Sequence, residues 1–267
     1  MLTEIARAKL NLALHVRARR PDGYHELETL FAFVEFGDVL RVAPAGIPDF
    51  RITGPFAAAL MGEGDNLVTR AAVRFAERFG GGAHAIELEK HLPVASGIGG
   101  GSADAAAALR ALARLHEVAL DDPRLFEIAD GLGSDVPACL LGRTALGKGR
   151  GEQLEPVAGM PGTPVLLVNP GVAVSTAEVF RRWDGVDRGP LGPDPLAGRN
   201  DLEAPAQAIA PVITEVLALL AAQPGVKLAR MSGSGATCFA LFQSEEACAH
   251  AAARMRPDWW NVQTQLA

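Results

Sequence analysis

Residues 93–107 read Pro93-Val-Ala-Ser-Gly-Ile-Gly-Gly-Gly-Ser-Ala-Asp-Ala-Ala-Ala107, a glycine-rich segment that runs directly into an alanine-rich one. The glycines at positions 97, 99, 100 and 101 carry no side chains, so backbone amides can approach a ligand closely. The alanines favour a helix, which we expect to begin at Ser102 and to run to about His116. Because a helix N-terminus attracts anions, the segment predicts a phosphate-binding loop.

Two common phosphate-binding motifs are absent from the sequence. The P-loop requires Gly-Lys-Ser or Gly-Lys-Thr, and neither tripeptide occurs in the chain. The dinucleotide fingerprint requires a third glycine where Ser102 stands, and it follows a strand directly, whereas Pro93 opens this loop. The loop therefore indicates phosphate binding by some other family.

The segment before the loop begins with a strand pattern. Apolar residues alternate at Leu10, Leu12, Leu14 and Val16, which predicts a half-buried strand. Lys9 and Asn11 then lie on the polar face of this strand. Asn66 is placed to cap a helix, and Ser175 with Glu178 has the spacing of a capping box. Strand and helix patterns interleave along the whole chain, so the sequence predicts a mixed α and β class.

A change in the composition of the sequence divides the chain. Residues 159–164, Gly-Met-Pro-Gly-Thr-Pro, are rich in turn-forming residues. We therefore predict two domains, residues 1–158 and residues 159–267, which is compatible with a total length of 267 residues.

Composition excludes several classes of function. The chain holds 25 Lys and Arg against 31 Asp and Glu, a net charge of −6, so a whole-surface attraction to nucleic acid or to an anionic membrane is not expected.

The N-terminus lacks the apolar core of a signal peptide, and no window approaches about 18 consecutive apolar residues. The three cysteines lack Cys-x-x-Cys spacing, which favours buried thiols. A cytoplasmic location is predicted.

Several other positions carry side chains suited to chemistry. Lys9, in a strand, needs a carboxylate or phosphate partner unless it is solvated. Asp135, in a turn rich in glycine and proline, is either a cap or an acceptor for a substrate proton. Tyr24, the one tyrosine, and His25 together suit a planar base or a packed turn. The second glycine-rich turn, residues 232–237, is compatible with an anion contact or with a tight hairpin.

Taken in order, these segments resemble a known enzyme family. The resemblance rests on Ala8-Lys-Leu-Asn11, Asp22-Gly-Tyr-His25, the glycine loop, Gly133-Ser-Asp-Val-Pro137, Asn200-Asp-Leu-Glu203 and Met231-Ser-Gly-Ser-Gly-Ala236. The glycine loop and the last segment resemble the galactokinase, homoserine, mevalonate and phosphomevalonate (GHMP) kinase superfamily as a whole. The Asp-Gly-Tyr-His segment, close after Ala-Lys-x-Asn, is similar to that of its 4-diphosphocytidyl-2-C-methyl-D-erythritol kinases.

The resemblance implies a reaction and two catalytic residues. ATP would phosphorylate the 2-hydroxyl of 4-diphosphocytidyl-2-C-methyl-D-erythritol, a step of the non-mevalonate pathway to isoprenoid precursors. Asp135 would take the proton of that hydroxyl, while Lys9 would hold Asp135 ionised and stabilise charge on the reacting oxygen. The expected partner is a small molecule with a cytidine diphosphate group, without nucleic acid, membrane or an obligate protein partner.

The resemblance also implies residues that bind the cytidine substrate. Tyr24 and Phe180 would enclose the cytosine base, and His25 would read its edge. Asn11 and Thr176 would contact the same substrate.

The resemblance implies that ATP is bound by the glycine loop, a nearby lysine and a metal ion. Lys90 matches a position near ATP, and Ser102 would lie near Mg²⁺. The implied ATP-binding residues of the loop are Pro93, Val94, Ala95, Ser96, Gly97, Ile98, Gly99, Gly100, Gly101, Ser102 and Ala103. Asp104 departs from the frequent Asn of the family, and this change either alters how Mg²⁺ is held or favours the helix dipole.

The fold implied by the resemblance is α+β, the GHMP kinase fold. Its N-terminal domain resembles the second domain of ribosomal protein S5, its C-terminal domain is ferredoxin-like, and the active site is expected in the cleft between them. Two alternatives remain at this point. One is another kinase of the superfamily, which has no evident need for Tyr24 and His25. The other is an RNA-binding protein, which the net charge of −6 disfavours.

Overall fold

Two long strands occupy most of the first 45 residues. The structure, a computed structural model, describes residues 1–60 and 66–267. Strands β1 (Leu2–Arg19) and β2 (His25–Ala45) pair with each other. The other strands of the described residues are β3 (Asp49–Thr53), β4 (Ala83–Glu89), β5 (Ala145–Gly149), β6 (Gln153–Pro156), β7 (Pro164–Asn169), β8 (Val226–Met231), β9 (Cys238–Phe242) and β10 (Trp260–Gln265).

The α-helices of the described residues follow the glycine and proline signals of the sequence. They are α1 (Leu67–Phe79), α2 (Gly100–Leu115), α3 (Pro123–Leu132), α4 (Val136–Leu141), α5 (Thr176–Arg181), α6 (Glu203–Ile209), α7 (Val212–Ala221) and α8 (Glu245–Ala252). None of the helices in this part of the chain combines the length and apolarity needed to cross a membrane.

The chain divides into two compact units. The first unit comprises residues 1–8, 36–94 and 99–142, and the second comprises residues 9–35, 95–98 and 143–267. Strands β1 and β2 contribute residues to both units, so neither unit is one continuous stretch of sequence. The domain boundary expected between residues 158 and 159 divides the sequence into two continuous stretches, whereas the two compact units are each made of several stretches. The expected boundary therefore stays a prediction.

In the first unit, helices pack around an alanine-rich core beside a small sheet. Strand β4 pairs antiparallel with β2 and parallel with β3. Helix α2 packs against α1, α3 and α4, and its run of alanines from Ala105 to Ala108 is fully buried. Asn66 caps α1 as predicted, because its side chain accepts a hydrogen bond from the Val68 backbone N–H.

The start of α2 differs from the sequence-based expectation. The helix begins at Gly100, and the residue before it, Gly99, has a left-handed backbone with φ 67°. Ser102 is therefore the third residue of the helix and does not cap it. Sequence reasoning chose Ser102 because serine is a common cap, but here a left-handed glycine turn makes the entry into the helix.

The second unit contains an antiparallel four-stranded sheet in the order β10-β7-β9-β8. With α8 between β9 and β10, and helices between β7 and β8, this is the ferredoxin-like arrangement implied by the resemblance. The serine half of the capping box before α5 is confirmed, since the Ser175 hydroxyl accepts from the Glu178 N–H, whereas the Glu178 carboxylate accepts from Arg181 and Arg182. The helical stretch after Leu202 breaks at Ala210-Pro211, while Pro205 lies inside α6 without ending it.

Burial along β1 exceeds what the alternation predicted. Every residue from Ala8 to Val16 is buried, including the face with Lys9, Asn11 and His15, so the strand is not half-buried. The thiols agree better with the sequence: Cys139, Cys238 and Cys248 are buried and unpaired by disulfides.

Candidate functional site

The glycine loop delivers its last residues to the N-terminus of α2 in the first unit. Gly99 has no side chain, and no side chain among the described residues caps the helix. The first helical backbone hydrogen bond there runs from the Ala103 N–H to the Gly99 carbonyl, at 2.8 Å. The N–H groups of Gly100, Gly101 and Ser102 precede it and so have no partner within the helix. This turn can donate several hydrogen bonds to an anion.

Lys90 lies in the interior of the first unit. Its ammonium donates to Asp38, and to Asp104 Oδ2 at 2.6 Å, and all three side chains are nearly fully buried. Burial disfavours the charged ammonium, but Asp104 and Asp38 together raise the pKa of Lys90. Burial raises the pKa of Asp104 to about 8. The structure therefore answers one open question: Asp104 is bonded to Lys90 in the interior.

Asp135 is the residue directly before α4 in the first unit. Its backbone carbonyl accepts a hydrogen bond from the Cys139 N–H at 3.1 Å, as expected for an N-cap position. Its half-buried side chain makes no capping hydrogen bond to α4 among the described residues. Asp135 thus occupies the N-cap position of α4, in agreement with its interpretation as a cap or turn residue, and the interpretation as a proton acceptor stays open.

In the second unit, Lys9 belongs to a buried polar network on β1 and β2. The Lys9 ammonium donates to Asn11 Oδ1 at 2.8 Å, and the Asn11 amide donates to the Thr29 hydroxyl at 2.8 Å. Thr29 in turn donates to the Ala13 carbonyl at 2.7 Å. The Lys9 ammonium also lies 5.5 Å from the centre of the Phe31 ring. These contacts fix the direction of the lysine side chain and of the asparagine beside it.

The second glycine-rich turn packs against part of the first. The Ser232 hydroxyl donates to the Gly97 carbonyl at 3.0 Å, and the Thr237 N–H donates to the Ser96 carbonyl at 3.0 Å. Gly97 has φ 78°, and a Cβ there would come within 2.5 Å of the Ser232 carbonyl oxygen. Residues 95–98 of the loop and the second turn are in the second unit, where the second turn acts as a tight connection that supports the backbone of Ser96 and Gly97.

An aromatic cluster surrounds His25. Its ring centre lies 4.8 Å from that of Phe180, and 5.7 Å from that of Trp183 in an edge-on arrangement. Burial, and then the positive charge of Arg19, lower the pKa of His25, so the imidazole is neutral at neutral pH. His25 Nε2 is buried without a hydrogen-bond partner among the described residues. A neutral imidazole offers one donor and one acceptor, which suits the edge of a base.

Tyr24 and Thr176 lie at the surface of the second unit. Half of Tyr24 is exposed, and the Arg150 guanidinium lies 5.0 Å from the centre of its ring. The Thr176 and Ser234 hydroxyls form a hydrogen bond at 2.8 Å. Among the expected substrate-binding residues, the ring contacts bring His25 and Phe180 together, while the Tyr24 ring contacts Arg150.

Sequence reasoning missed two residues next to the predicted ones. Trp183 packs edge-on to His25 and lines a cavity of about 340 Å³ in the second unit together with Arg199 and Asn200. Asp38 is the second partner of Lys90, 52 residues away in sequence. Trp183, eight residues after Ser175, belongs to none of the motifs found in the sequence. Nothing in the sequence around Asp38 indicates that its partner is Lys90.

Comparison with protein families finds the two halves of a kinase fold. Residues 66–143 match the family model of the GHMP kinases N terminal domain, and residues 194–261 match that of the GHMP kinases C terminal domain. A 4-diphosphocytidyl-2-C-methyl-D-erythritol kinase from Rhizorhabdus wittichii is 58% identical over 277 residues, covering 99% of this chain and 94% of that protein. One from Novosphingobium aromaticivorans is 50% identical, covering 98% and 91%.

Solved structures agree with the family models. A crystal structure of 4-(cytidine 5'-diphospho)-2C-methyl-D-erythritol kinase matches with a TM-score of 0.85 and 38% identity, covering 100% of this chain and 99% of that one. A homoserine kinase from Cytophaga hutchinsonii matches with a TM-score of 0.69 at 20% identity, covering 98% and 95%, which shows the shared fold alone.

Proposed function

Because the chain belongs to the family of 4-diphosphocytidyl-2-C-methyl-D-erythritol kinases, we propose that Lys9 and Asp135 carry out the reaction of that family in this protein. The reaction is the ATP-dependent phosphorylation of the 2-hydroxyl of 4-diphosphocytidyl-2-C-methyl-D-erythritol in the methylerythritol phosphate pathway to isoprenoid precursors. The chain is thus a small-molecule kinase of the GHMP type with ATP as co-substrate.

The observation that carries the proposal is the uncapped first turn of α2. Kinases of this kind have little covalent chemistry to do, so positioning and charge stabilisation of the phosphates dominate catalysis. The backbone N–H groups of Gly100, Gly101 and Ser102 have no partner within α2 and no capping side chain among the described residues. We assign the ATP phosphates to this turn and to the rest of the Pro93–Ala103 loop.

Asp135 and Lys9 act on the hydroxyl that is phosphorylated. As the oxygen of the 2-hydroxyl forms its bond to the γ-phosphorus, the bond from that phosphorus to the ADP oxygen breaks, and Asp135 accepts the hydroxyl proton. Lys9 stabilises the negative charge that develops on the reacting oxygen. Its fixed hydrogen bond to Asn11 supports this role, because a preoriented ammonium needs no rearrangement as the charge develops.

The second unit supplies the contacts to the cytidine substrate. Phe180 and Tyr24 present ring faces for the cytosine, and His25, neutral and with Nε2 unpartnered among the described residues, reads its edge. Asn11 and Thr176 contribute hydrogen-bonding groups to the same substrate. The 4.8 Å contact between the His25 and Phe180 rings supports their action as one surface.

The donor atoms near Ser102 fit a Mg²⁺ ion that arrives with ATP. Mg²⁺ prefers oxygen ligands and is commonly bound by substrate phosphates, water and one or two protein groups. Ser102, half-buried in the first turn of α2, offers a hydroxyl oxygen, whereas Asp104 is bonded to Lys90. The ion supplies positive charge that offsets the charge of the phosphates, and Ser102 is the residue that we expect to hold it.

We place this activity in the cytoplasm and propose that it needs no protein partner. The net charge of −6 gives no support for a membrane or nucleic-acid partner.

The substrate assignment is tested by measuring ADP release from Mg²⁺ and ATP with different alcohols. We expect rapid turnover with 4-diphosphocytidyl-2-C-methyl-D-erythritol, and phosphorus NMR of the product should place the new phosphate on the 2-oxygen. Homoserine, mevalonate and the erythritol lacking the cytidine diphosphate group should react far more slowly. Comparable turnover of these smaller alcohols would contradict the roles given to Tyr24, His25 and Phe180.

The role of Asp135 is tested by Asp135→Asn, which removes the proton acceptor without changing side-chain volume. We expect kcat to fall about 10²- to 10⁴-fold, as is typical for loss of a general base. Circular dichroism and a melting curve check that the variant is folded. Asp121→Asn, at an exposed position before α3, is the matched control and should keep full activity. Near-normal kcat in Asp135→Asn would exclude Asp135 as the base.

A further inference from the structure

Three ionisable side chains form a buried cluster in the first unit. Lys90, immediately after β4, donates to Asp38 of β2 and to Asp104 of α2, and each of the three side chains is no more than 3% exposed. Removing ions from water is unfavourable unless they are paired and hydrogen-bonded. The cluster therefore joins two strands and one helix at a fixed point.

The cluster fixes the chain on both sides of the glycine loop. On the side before the loop, Asp38 Oδ1 accepts hydrogen bonds from the backbone N–H groups of His91 at 2.5 Å and of Leu92 at 2.8 Å. On the side after the loop, Lys90 holds Asp104 in the second turn of α2. Between these anchors lie the residues to which we assign the ATP phosphates.

The ammonium of Lys90 also lies against the first residue of α2. A Cβ placed on Gly100 would be 3.1 Å from Lys90 Nζ and 3.8 Å from the Leu92 Cβ. The side of Gly100 that lacks a side chain therefore faces the ammonium of Lys90, which leaves little room for a larger residue at this position. Displacements of about 1 Å near reacting groups can change rates by about 10²-fold.

The two carboxylates of the cluster are not equivalent. Asp38 receives hydrogen bonds on both oxygens, from Lys90 and from two backbone N–H groups, so its role in holding the fold is evident. Asp104 receives one from Lys90 on Oδ2, and its Oδ1 is buried without a hydrogen-bond partner among the described residues. An unsatisfied buried carboxylate oxygen is unfavourable for stability, so a purely structural role does not explain why this residue is an aspartate.

From this geometry, and building on the proposed function, we infer that Asp104 is a positioning residue for ATP. It acts through Lys90, whose ammonium it holds against Gly100, and so sets the N–H groups of the first turn of α2 at the distance that the phosphates require. Asp104 itself touches neither substrate. Lys90 then supports the nucleotide site from the interior, which differs from the direct ATP contact expected from the resemblance.

The inference is tested with Asp104→Ala and Asp104→Asn. Alanine leaves Lys90 in a neutral pair with Asp38, so the chain should still fold, and circular dichroism checks this. We expect Asp104→Ala to raise the KM for ATP, and the calorimetric Kd for ATP with Mg²⁺, about tenfold, while the KM for the cytidine substrate stays within about twofold. Asp104→Asn keeps an oxygen acceptor for Lys90 and should restore both values to within about twofold of the unchanged protein.

Three results would overturn the inference. They are an unchanged affinity for ATP in folded Asp104→Ala, an equal loss of affinity for both substrates, and a loss in Asp104→Asn as large as that in Asp104→Ala. A purely structural role would lower the melting temperature without changing ATP affinity well below it. Asp121→Ala, at an exposed site after α2, is the control. Failure of the proposed function is distinguishable, because the unchanged protein would then bind ATP without phosphorylating the cytidine substrate.

Discussion

Lys9 is a buried cation whose side chain is held in one direction. Its ammonium points along a network that includes Asn11 and Thr29, and it lies near the face of Phe31. A lysine on a strand normally keeps its ammonium in water, whereas Lys9 is only 3% exposed. Such a position is unfavourable for an ion unless partners offset the lost hydration. The proposed role at the reacting oxygen gives this arrangement a purpose beyond folding.

Lys9→Met removes the charge and keeps the length of the side chain. We expect kcat to fall about 10²- to 10³-fold, as for the loss of one preorganised electrostatic contact in a transition state. The affinity for ATP should change little, because the phosphates are assigned to α2 and its loop. Lys148→Met, at an exposed position of β5, provides a strand lysine for comparison and should behave like the unchanged protein. A normal kcat in Lys9→Met would remove Lys9 from the mechanism.

Single residues also mark the limit of what sequence reveals. The candidates Lys9, Asp135 and His25 were found from motif positions, and the structure describes side-chain contacts for Lys9 and His25 and places Asp135 directly before α4. Asp38 was not found, because its meaning depends on Lys90, a residue 52 positions away that only the folded sheet brings near. The catalytic pairing of Lys9 with Asp135 stays a prediction, since the two residues belong to different compact units.

At the scale of elements, the glycines of the loop have different tasks. Gly97 needs its left-handed backbone and the absence of a side chain, because a Cβ would lie within 2.6 Å of both the Ser232 and the Gly235 carbonyl oxygens. Gly101, in α2, has only Leu67 Cδ1 near its Cβ position, at 3.6 Å. A side chain on Gly100 would meet Lys90 in the interior and not a ligand.

Gly97→Ala and Gly101→Ala should therefore have opposite effects on stability. We expect Gly97→Ala to lower the free energy of unfolding by about 1–3 kcal/mol or more, because of backbone strain and steric overlap. Gly101→Ala should raise it by about 0.5–1 kcal/mol, since alanine favours a helix over glycine. Urea unfolding of both variants measures the difference. Equal destabilisation by the two substitutions would contradict the assigned start of α2.

Elements with strong local signals were predicted well, and those set by tertiary context were not. The Asn66 cap of helix α1 and the Ser175 cap of α5 follow from local sequence. The burial of β1 on both faces does not, because it depends on what packs over the strand. Strands β3 and β10 carry polar residues at many positions, and strand preference depends strongly on neighbouring strands. The GHMP fold itself was predicted from motifs and is confirmed by the comparisons.

The pH dependence of stability is a property of the whole molecule. Burial lowers the pKa of His84, and the neighbouring His116, whose Nε2 lies 3.0 Å from that of His84, lowers it further. Burial lowers the pKa of His25 as well. In the unfolded chain these histidines take up protons near pH 6.5, whereas the folded chain resists protonation. The stabilisation that these two histidines contribute is therefore fully present above about pH 6.5 and is lost as the pH falls below that value.

His84→Gln should make stability less sensitive to acid. Urea unfolding at pH 5, 6, 7 and 8 should show a smaller loss between pH 7 and pH 5 than in the unchanged protein, with the contribution of His25 remaining. His250→Gln, at an exposed position of α8, should leave the pH profile as it is. An identical profile in His84→Gln would show that the contact with His116 does not resist protonation.

The second unit is built from stretches that are far apart in the chain, and this affects how the protein folds during synthesis. Residues 9–35 leave the ribosome early, but most of their partners begin at residue 143, after the first unit has been synthesised. At about 5–20 residues per second, this interval lasts roughly 5–20 s. The last link forms later still, when Leu266 bridges to Val34 and the Ala267 N–H bonds to the Phe33 carbonyl. During translation, the apolar residues of β1 therefore lack most of their partners in the second unit. We expect the growing polypeptide to be the form most prone to aggregation.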